Sequence, residues 1–376
     1  MNILHIANGF ARSKVHSNLV KRLDEMGFNQ TVYCPVRTKW ELGGNKFDAR
    51  NTKFVYNCCI KPWYKFVYHY KAMVLYRDMK KRIDLSQFNI IHAPTLFSDG
   101  ALAYKAYKEY GTPYVIAVRS ADTCDFIGRG MYHTWSLGRK IVLNAKQIYF
   151  VSVAGKTQFE NSKFVRPILH EIKDRCIVRP NGIDGVWLQN IIPAVQPSRK
   201  ICYVGTFLPR KNVTRLINAV SALRQKEGYG DVTLNIIGGG DDQNGAVKNL
   251  IERNSHFIEY SGRITDKQEL IQKMRQSALF AMPSWTETFG LVYVEALTQG
   301  LPVVYSKNDG IDGFFDSSVG IAVNPFSESD ILHAIKTILD HPHSYGNSKV
   351  DFNTFNWHKI SSNYAADYIR ICGDCE

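Results

Sequence analysis

The chain has 376 residues, 45% hydrophobic and 22% charged, with 47 Lys and Arg against 34 Asp and Glu for a net charge of +13. That length accommodates two domains, each burying its own core, and no stretch approaches the ~18 consecutive apolar residues of a membrane-crossing helix. The opening MNILHIANGF has no basic region ahead of its apolar residues, so it reads as a first strand rather than a secretory signal. Eight cysteines at irregular spacing do not form a disulfide framework. Cys372-Gly-Asp-Cys375 is a lone pair without a second, which makes it neither a zinc nor a redox site. The expected compartment is the reducing cytoplasm. Charge is uneven: through residue 190 there are 29 Lys and Arg against 14 Asp and Glu, a net +15, and from 191 onward 18 against 20, a net −2. An excess confined to one half suggests an anionic partner there.

In chain order, Ile3–Ala7 reads as a strand, Asn8-Gly9-Phe10 as the turn after it, Val15–Met26 as a helix closed by Gly27, and Thr31–Cys34 as the next strand. Strand, glycine turn, helix and strand open a parallel α/β sheet. No G-x-G-x-x-G follows the first strand, which argues against an NAD or FAD enzyme. Lys61–Arg82 interleaves Trp63, Tyr64, Phe66, Tyr68, Tyr70 and Tyr76 with seven basic residues, opposed only by Asp78. Such a stretch is either a half-buried helix with a basic solvated face or a surface that sits on anionic lipid, rings at headgroup level. Nucleic acid is a lesser reading, since aromatics also stack on bases.

Asn89–Ala93 and Tyr114–Val118 read as strands with a helix, Asp99–Tyr110, between them; Arg119-Ser120-Ala121-Asp122 then lies at a strand end, where ligands bind in such sheets. Arg119 keeps its charge, so it can hold a phosphate or carboxylate but cannot act as a base. Gln147–Val153 and Cys176–Arg179 are further strands, and Pro180-Asn181-Gly182-Ile183-Asp184 is a turn by composition. Ile191–Arg199, with Pro193 and Pro197, is the expected linker, dividing the chain into domains 1–190 and 191–355 with a terminal helix in 356–376.

The second domain opens on the strand Ile201–Gly205, the loop Thr206 to Asn212 and a helix from Val213. Thr233–Ile237 runs into Gly238-Gly239-Gly240, and Phe257–Gly262 into Arg263-Ile264. No Asp-x-Asp is present to hold a metal for phosphates. In PSWTETFGLVYVEALTQGLPVVY, which follows the strand Ala278–Met282, a helix runs from Gly290 to Gly300, with Pro302 beyond it. Glu287 precedes its N-terminus, where the N–H groups of Phe289, Gly290 and Leu291 point outward at the positive end of the helix dipole. Glu295 lies five residues in, roughly 7–8 Å along the axis at ~1.5 Å per residue, a plausible span from a bound phosphate to the ribose of the same nucleotide. Without that context, two glutamates simply flank an amphipathic helix.

Glu-x7-Glu, with Phe-Gly after the first acid, Glu-Ala-Leu at the second, and Gly-Leu-Pro-Val beyond, resembles the donor-site signature of retaining glycosyltransferases of family GT4. The resemblance covers the second domain well and the first in outline. It implies the GT-B fold: two facing Rossmann-like α/β domains with a cleft between them, the C-terminal helix packing back on the first. It implies that Glu287 contacts the transferred sugar, that the amides of Phe289, Gly290 and Leu291 contact sugar and phosphate, and that Glu295 binds the ribose. Lys211 falls on the family's diphosphate-binding lysine. The family's arginine after the glycine is Thr206 here, beside Gly205, and Arg210 is the substitute cation. Gly238 and Gly239 end the second strand of the nucleotide-binding domain, and Arg263 and Ile264 fall where the base is met. In the first domain the family's paired glycines reduce to Gly9, next to Phe10. Arg119, near Asp122, stands where many members have a histidine. The function implied is transfer of a sugar from a nucleotide diphosphate, UDP by default, to an acceptor hydroxyl with retention. The acceptor would be a glycan or polyprenyl-diphosphate-linked precursor at the inner face of the plasma membrane. Neither metal nor cofactor is expected. A nucleotide-sugar epimerase of the same fold and a noncatalytic nucleotide-sugar-binding protein are the alternatives.

Overall fold

The computed structural model describes residues 1–193, 198–240 and 245–374, the Lys65 side chain excepted. Part of the expected linker and Cys375 of the terminal cysteine pair lie outside the described residues. Two compact units result: Met1–Val151 with Gly155–Gly182 and Trp357–Glu376, and Ser152–Ala154 with Ile183–Asn356. The division falls after Gly182 rather than at residue 190, so Asp184 and the short helix Gly185–Gln189 belong to the second unit.

The first unit is built on a seven-stranded sheet: β1 Asn2–Ile6, β2 Asn29–Val36, β3 Thr52–Cys58, β4 Ile90–Ala93, β5 Tyr114–Val118, β6 Gln147–Phe150 and β7 Cys176–Val178. The order is β3-β2-β1-β4-β5-β6-β7 and every pairing is parallel. Residues of β4, β5 and β6 are all buried, as mainly apolar strands covered on both faces should be. β3 has no counterpart among the expected strands. It is an edge strand, half-exposed along its length, and TKFVYNC carries no apolar run for burial to demand. The C-terminal helix, Trp357–Gly373, is part of this unit and packs with Leu19 and Leu23 of the helix Lys14–Glu25. Tyr149 donates to Asp367 at 2.9 Å, and Arg179 pairs with the same carboxylate at 3.0 Å.

The second unit repeats the plan with six strands: β8 Lys200–Gly205, β9 Thr233–Gly238, β10 Ile258–Gly262, β11 Leu279–Ala281, β12 Val303–Ser306 and β13 Gly320–Val323. Their order is β10-β9-β8-β11-β12-β13, again wholly parallel. Strand order reverses direction at β8/β11, as it does at β1/β4 in the first unit, and the loops leaving the carboxyl ends there form a crevice that receives ligands in open α/β sheets. No described helix is long and apolar enough to cross a membrane.

Candidate active site

The loop after β8 is held from three sides. Tyr203 donates its hydroxyl to the Thr206 carbonyl at 2.8 Å, and the Phe207 N–H reaches the Gly240 carbonyl at 3.0 Å. Buried Asn212, in the left-handed region at φ 58°, gives its amide to the carbonyls of Pro283 (2.8 Å) and Pro325 (2.7 Å). Asparagine tolerates that backbone better than most residues, and its side chain here ties the loop after β8 to those after β11 and β13. The helix Val213–Arg224 starts directly behind it.

Between these anchors, the single turn Pro209–Lys211 presents Arg210 and Lys211 to the loop after β11. The Trp285 N–H donates to the Arg210 carbonyl at 2.7 Å, and an Arg210 Nη donates to the Thr286 carbonyl at 3.3 Å. The Lys211 ammonium forms a direct ion pair with Glu287, and the Arg210 guanidinium stands 3.8 Å from the same carboxylate oxygen. Glu287 and Lys211 side chains are only 15% and 13% exposed, so their attraction is screened less than at the surface. The structure thus brings together the three residues expected to be catalytic, Glu287, Lys211 and Arg210, from two loops.

The helix after Glu287 runs Leu291–Thr298. The N–H groups of Phe289, Gly290 and Leu291 donate to no acceptor among the described residues, leaving a row of donors beside the acid. Gly290 has φ +84°, and a Cβ there would lie 2.5 Å from the Tyr293 ring. The glycine is therefore demanded by its own backbone and by that ring. Phe289 is buried edge-on against Phe314, with centroids 5.2 Å apart. Glu295 is partly buried one and a half turns on. Burial pushes its carboxyl up to about 7, Lys267 pulls it down and Asp184 adds to the rise. Lys267 and Asp184 are themselves an ion pair.

Gly205 and Thr206 end β8 next to Gly238 and Gly239 at the end of β9. A Cβ on Gly238, where φ is +123°, would sit 2.0 Å from the Gly205 carbonyl oxygen, so only glycine lets the two strand ends meet. The Thr206 hydroxyl is buried without a hydrogen-bond partner among the described residues. Arg263 is exposed and Ile264 half-buried just beyond β10. Asp309, which the sequence analysis did not single out, accepts the Glu287 N–H at 2.7 Å.

The candidates of the first unit are placed differently. Gly9 lies in the turn after β1, but Phe10 is a core ring, 1% exposed and 5.8 Å from Phe54. Asp122 is buried and accepts backbone N–H groups from Leu96, Phe97 and Arg119 at 3.0–3.2 Å, which makes it the organiser of that loop rather than an open ligand group. The Arg119 guanidinium leans on the Pro94 carbonyl and Asn181, each at 3.3 Å. Sequence reasoning also missed a buried histidine cluster. The rings of His5, His16 and His92 lie 4.9–5.6 Å apart, and burial holds His5 down to about 4. Only tertiary contact could have revealed it.

Two doubly wound parallel sheets, with cations, an acid and free amides gathered at the strand-order reversal of the second, are the two Rossmann-like domains of the GT-B fold. Comparison with known proteins agrees. Residues 198–341 match the family described as Glycosyl transferases group 1. An uncharacterized glycosyltransferase of Methanocaldococcus jannaschii is 22% identical over 349 residues, 91% of this chain and 89% of that protein. Other curated relatives align over 35–55% of this chain, and one match takes in only 14% of the relative's length. In fold, the chain is similar to the sucrose-phosphate synthase of Thermosynechococcus elongatus, with a TM-score of 0.72 at 17% identity and full coverage of both chains. It is also similar to Anabaena Alr3699/HepE in complex with UDP and glucose, with a TM-score of 0.62 at 17% identity, covering 100% of this chain and 99% of that one. The chain has the GT-B fold and is a glycosyltransferase, and its segment 198–341 matches the group 1 glycosyl transferases.

Proposed function

We propose that the protein transfers a sugar from a UDP-sugar to an acceptor hydroxyl with retention at the anomeric carbon. The observation that carries this reading is the pairing of Lys211 and Arg210 with Glu287 beside the free amides of Phe289, Gly290 and Leu291. Cations and amides of this kind stabilise the charge that grows on a departing diphosphate, and no metal is required for that step. Glu287 orients the sugar, Glu295 holds the ribose, and donor phosphate oxygen takes the acceptor's proton. Uridine as the base is supported by the UDP and UDP-glucose complexes of similar folds. Thermal melting against a panel of nucleotide sugars tests the reading. UDP at ~100 times its dissociation constant should stabilise the chain by about 2.7 kcal/mol. A melting temperature unmoved by any nucleoside diphosphate would sink it.

The acceptor we propose is a glycan precursor on a polyprenyl diphosphate, met at an anionic membrane by the first unit. Support comes from the helix Tyr68–Arg82. It buries Tyr68, Ala72, Leu75, Tyr76 and Met79, while Trp63, Phe66, Val67 and Tyr70 at its start are 46%, 75%, 36% and 46% exposed. One face of it is core and the other carries rings into solvent. Nearby, a cavity of about 530 Å3 is lined by Met73, Tyr76, Arg77, Lys80, Lys81 and Lys105. Lys80 is paired with Glu109 and Arg82 with Asp78, so Arg77, Lys81 and Lys105 are the better cations to remove. Each basic residue near an anionic surface contributes about 1 kcal/mol. Changing these three to glutamine should release the protein from anionic vesicles in flotation and leave UDP binding intact. Equal recovery of wild type on neutral and anionic vesicles would leave the helix as packing alone.

A further inference from the structure

We propose that Asp309 is a positioning residue for the transfer reaction, fixing the Glu287 peptide so that the Glu287 carboxylate stays aimed at the donor sugar. This rests on the reading of Glu287 given above. The Glu287 side chain is tied on one side by Lys211, but its own peptide N–H is not reached by the Arg210 and Asn212 contacts that anchor Pro283, Trp285 and Thr286 earlier in the loop. The loop after β12 supplies that contact. Asp309 accepts the Glu287 N–H through one carboxylate oxygen at 2.7 Å and the Gly310 N–H through the other at 2.9 Å. The end of β12 is clipped to the loop after β11 as well, where Ser306 donates its hydroxyl to the Ser284 carbonyl at 2.5 Å.

The approach is close enough to leave little play. A Cβ on Gly310 would lie 3.0 Å from the Phe289 carbonyl oxygen and 3.5 Å from the Glu287 Cβ. Asn308 and Gly310, on either side of Asp309, both have left-handed backbone, with φ of 61° and 55°. That twist directs the Asp309 side chain back onto the chain it holds. A carboxylate serves two N–H donors at once; an asparagine of the same shape would turn its own N–H2 toward one of them and keep only one bond. Burial pushes Asp309 up to about 6; the Glu287 and Gly310 N–H groups and Arg210 pull it down, and Glu287 itself raises it. Its grip on the peptide therefore weakens as the pH falls below that value, because a protonated carboxyl is the poorer acceptor.

Asp309→Asn separates this role from a structural one. With UDP-glucose as the probe and released UDP as the signal, the variant should lose roughly ten- to hundredfold in kcat. UDP affinity should stay near wild type, since Asp309 hydrogen-bonds to the Glu287 and Gly310 N–H groups and to none of the proposed phosphate ligands. The fall in wild-type kcat on the acid side of pH 6 should disappear in the variant, and Asp309→Glu should restore part of the rate. Wild-type kcat in Asp309→Asn, or an unchanged acid limb, overturns the proposal. Glu287→Gln is measured alongside. If it turns over like wild type, the reading of Glu287 fails and the proposal fails with it; if only Asp309→Asn is silent, the reading stands and Asp309 is merely a loop residue. A melting curve within the wild-type range shows that a slow Asp309→Asn is folded.

Discussion

Lys211→Ala is expected to lower transfer from a UDP-sugar by about 10²–10³, the usual effect of removing one preorganised donor from developing charge. Two roles meet in this lysine. Its ammonium pairs with Glu287 in a setting only 13% exposed, and in the proposed reaction it faces the diphosphate. Its removal leaves Glu287 with Arg210, 3.8 Å away and itself 47% exposed, a weaker and better-solvated partner. The loss should therefore fall on ligands that carry phosphate. UDP affinity should drop while uridine affinity stays near wild type, measured by titration calorimetry with the two ligands side by side. Equal losses for both would remove Lys211 from the phosphate site. Lys211→Arg keeps the charge with a different reach, and an intermediate rate would show that position as well as charge matters.

Glu295→Gln is expected to weaken UDP binding at pH 8 roughly ten- to hundredfold, as loss of a hydrogen bond to a charged group does. The pH dependence gives the sharper test. Burial raises the Glu295 carboxyl from 4.5 to about 7, with Lys267 opposing and Asp184 adding. An ionised carboxylate is the stronger acceptor for a ribose hydroxyl, so wild-type UDP affinity should rise as the pH climbs through about 7 and then level off. The glutamine variant should lack that rise. Stability moves the other way. A carboxyl whose folded pKa exceeds its unfolded one binds more protons in the folded chain, so its contribution is lost as the pH rises from about 4.5 to about 7, at most about 3 kcal/mol. Glu295→Gln should accordingly melt at or above wild type at pH 8 while binding UDP less well. A variant that binds UDP like wild type at every pH would place the ribose elsewhere.

The sequence by itself determined the strands buried on both faces, because such strands are mainly apolar and their ends are punctuated by glycine and proline. Tyr114–Val118 and the start of the helix at Val213 fall where they were expected. It also determined the Glu287-to-Glu295 unit, whose acid, glycine and helix lie within a few residues of one another, so that local geometry alone sets their spacing. The edge strand β3 was not legible, since a half-exposed strand carries no apolar run. Only the tertiary structure could decide what long-range pairing creates. Lys211 and Glu287 are 76 residues apart in the chain and meet because β8 and β11 are neighbours in the sheet. Asp309 reaches Glu287 because β12 lies next to β11. The same holds in the first unit. Phe10 and Asp122 look available in sequence, but packing against Phe54 and three backbone N–H groups consume them, and no local pattern records which polar groups a fold will use to satisfy its own backbone.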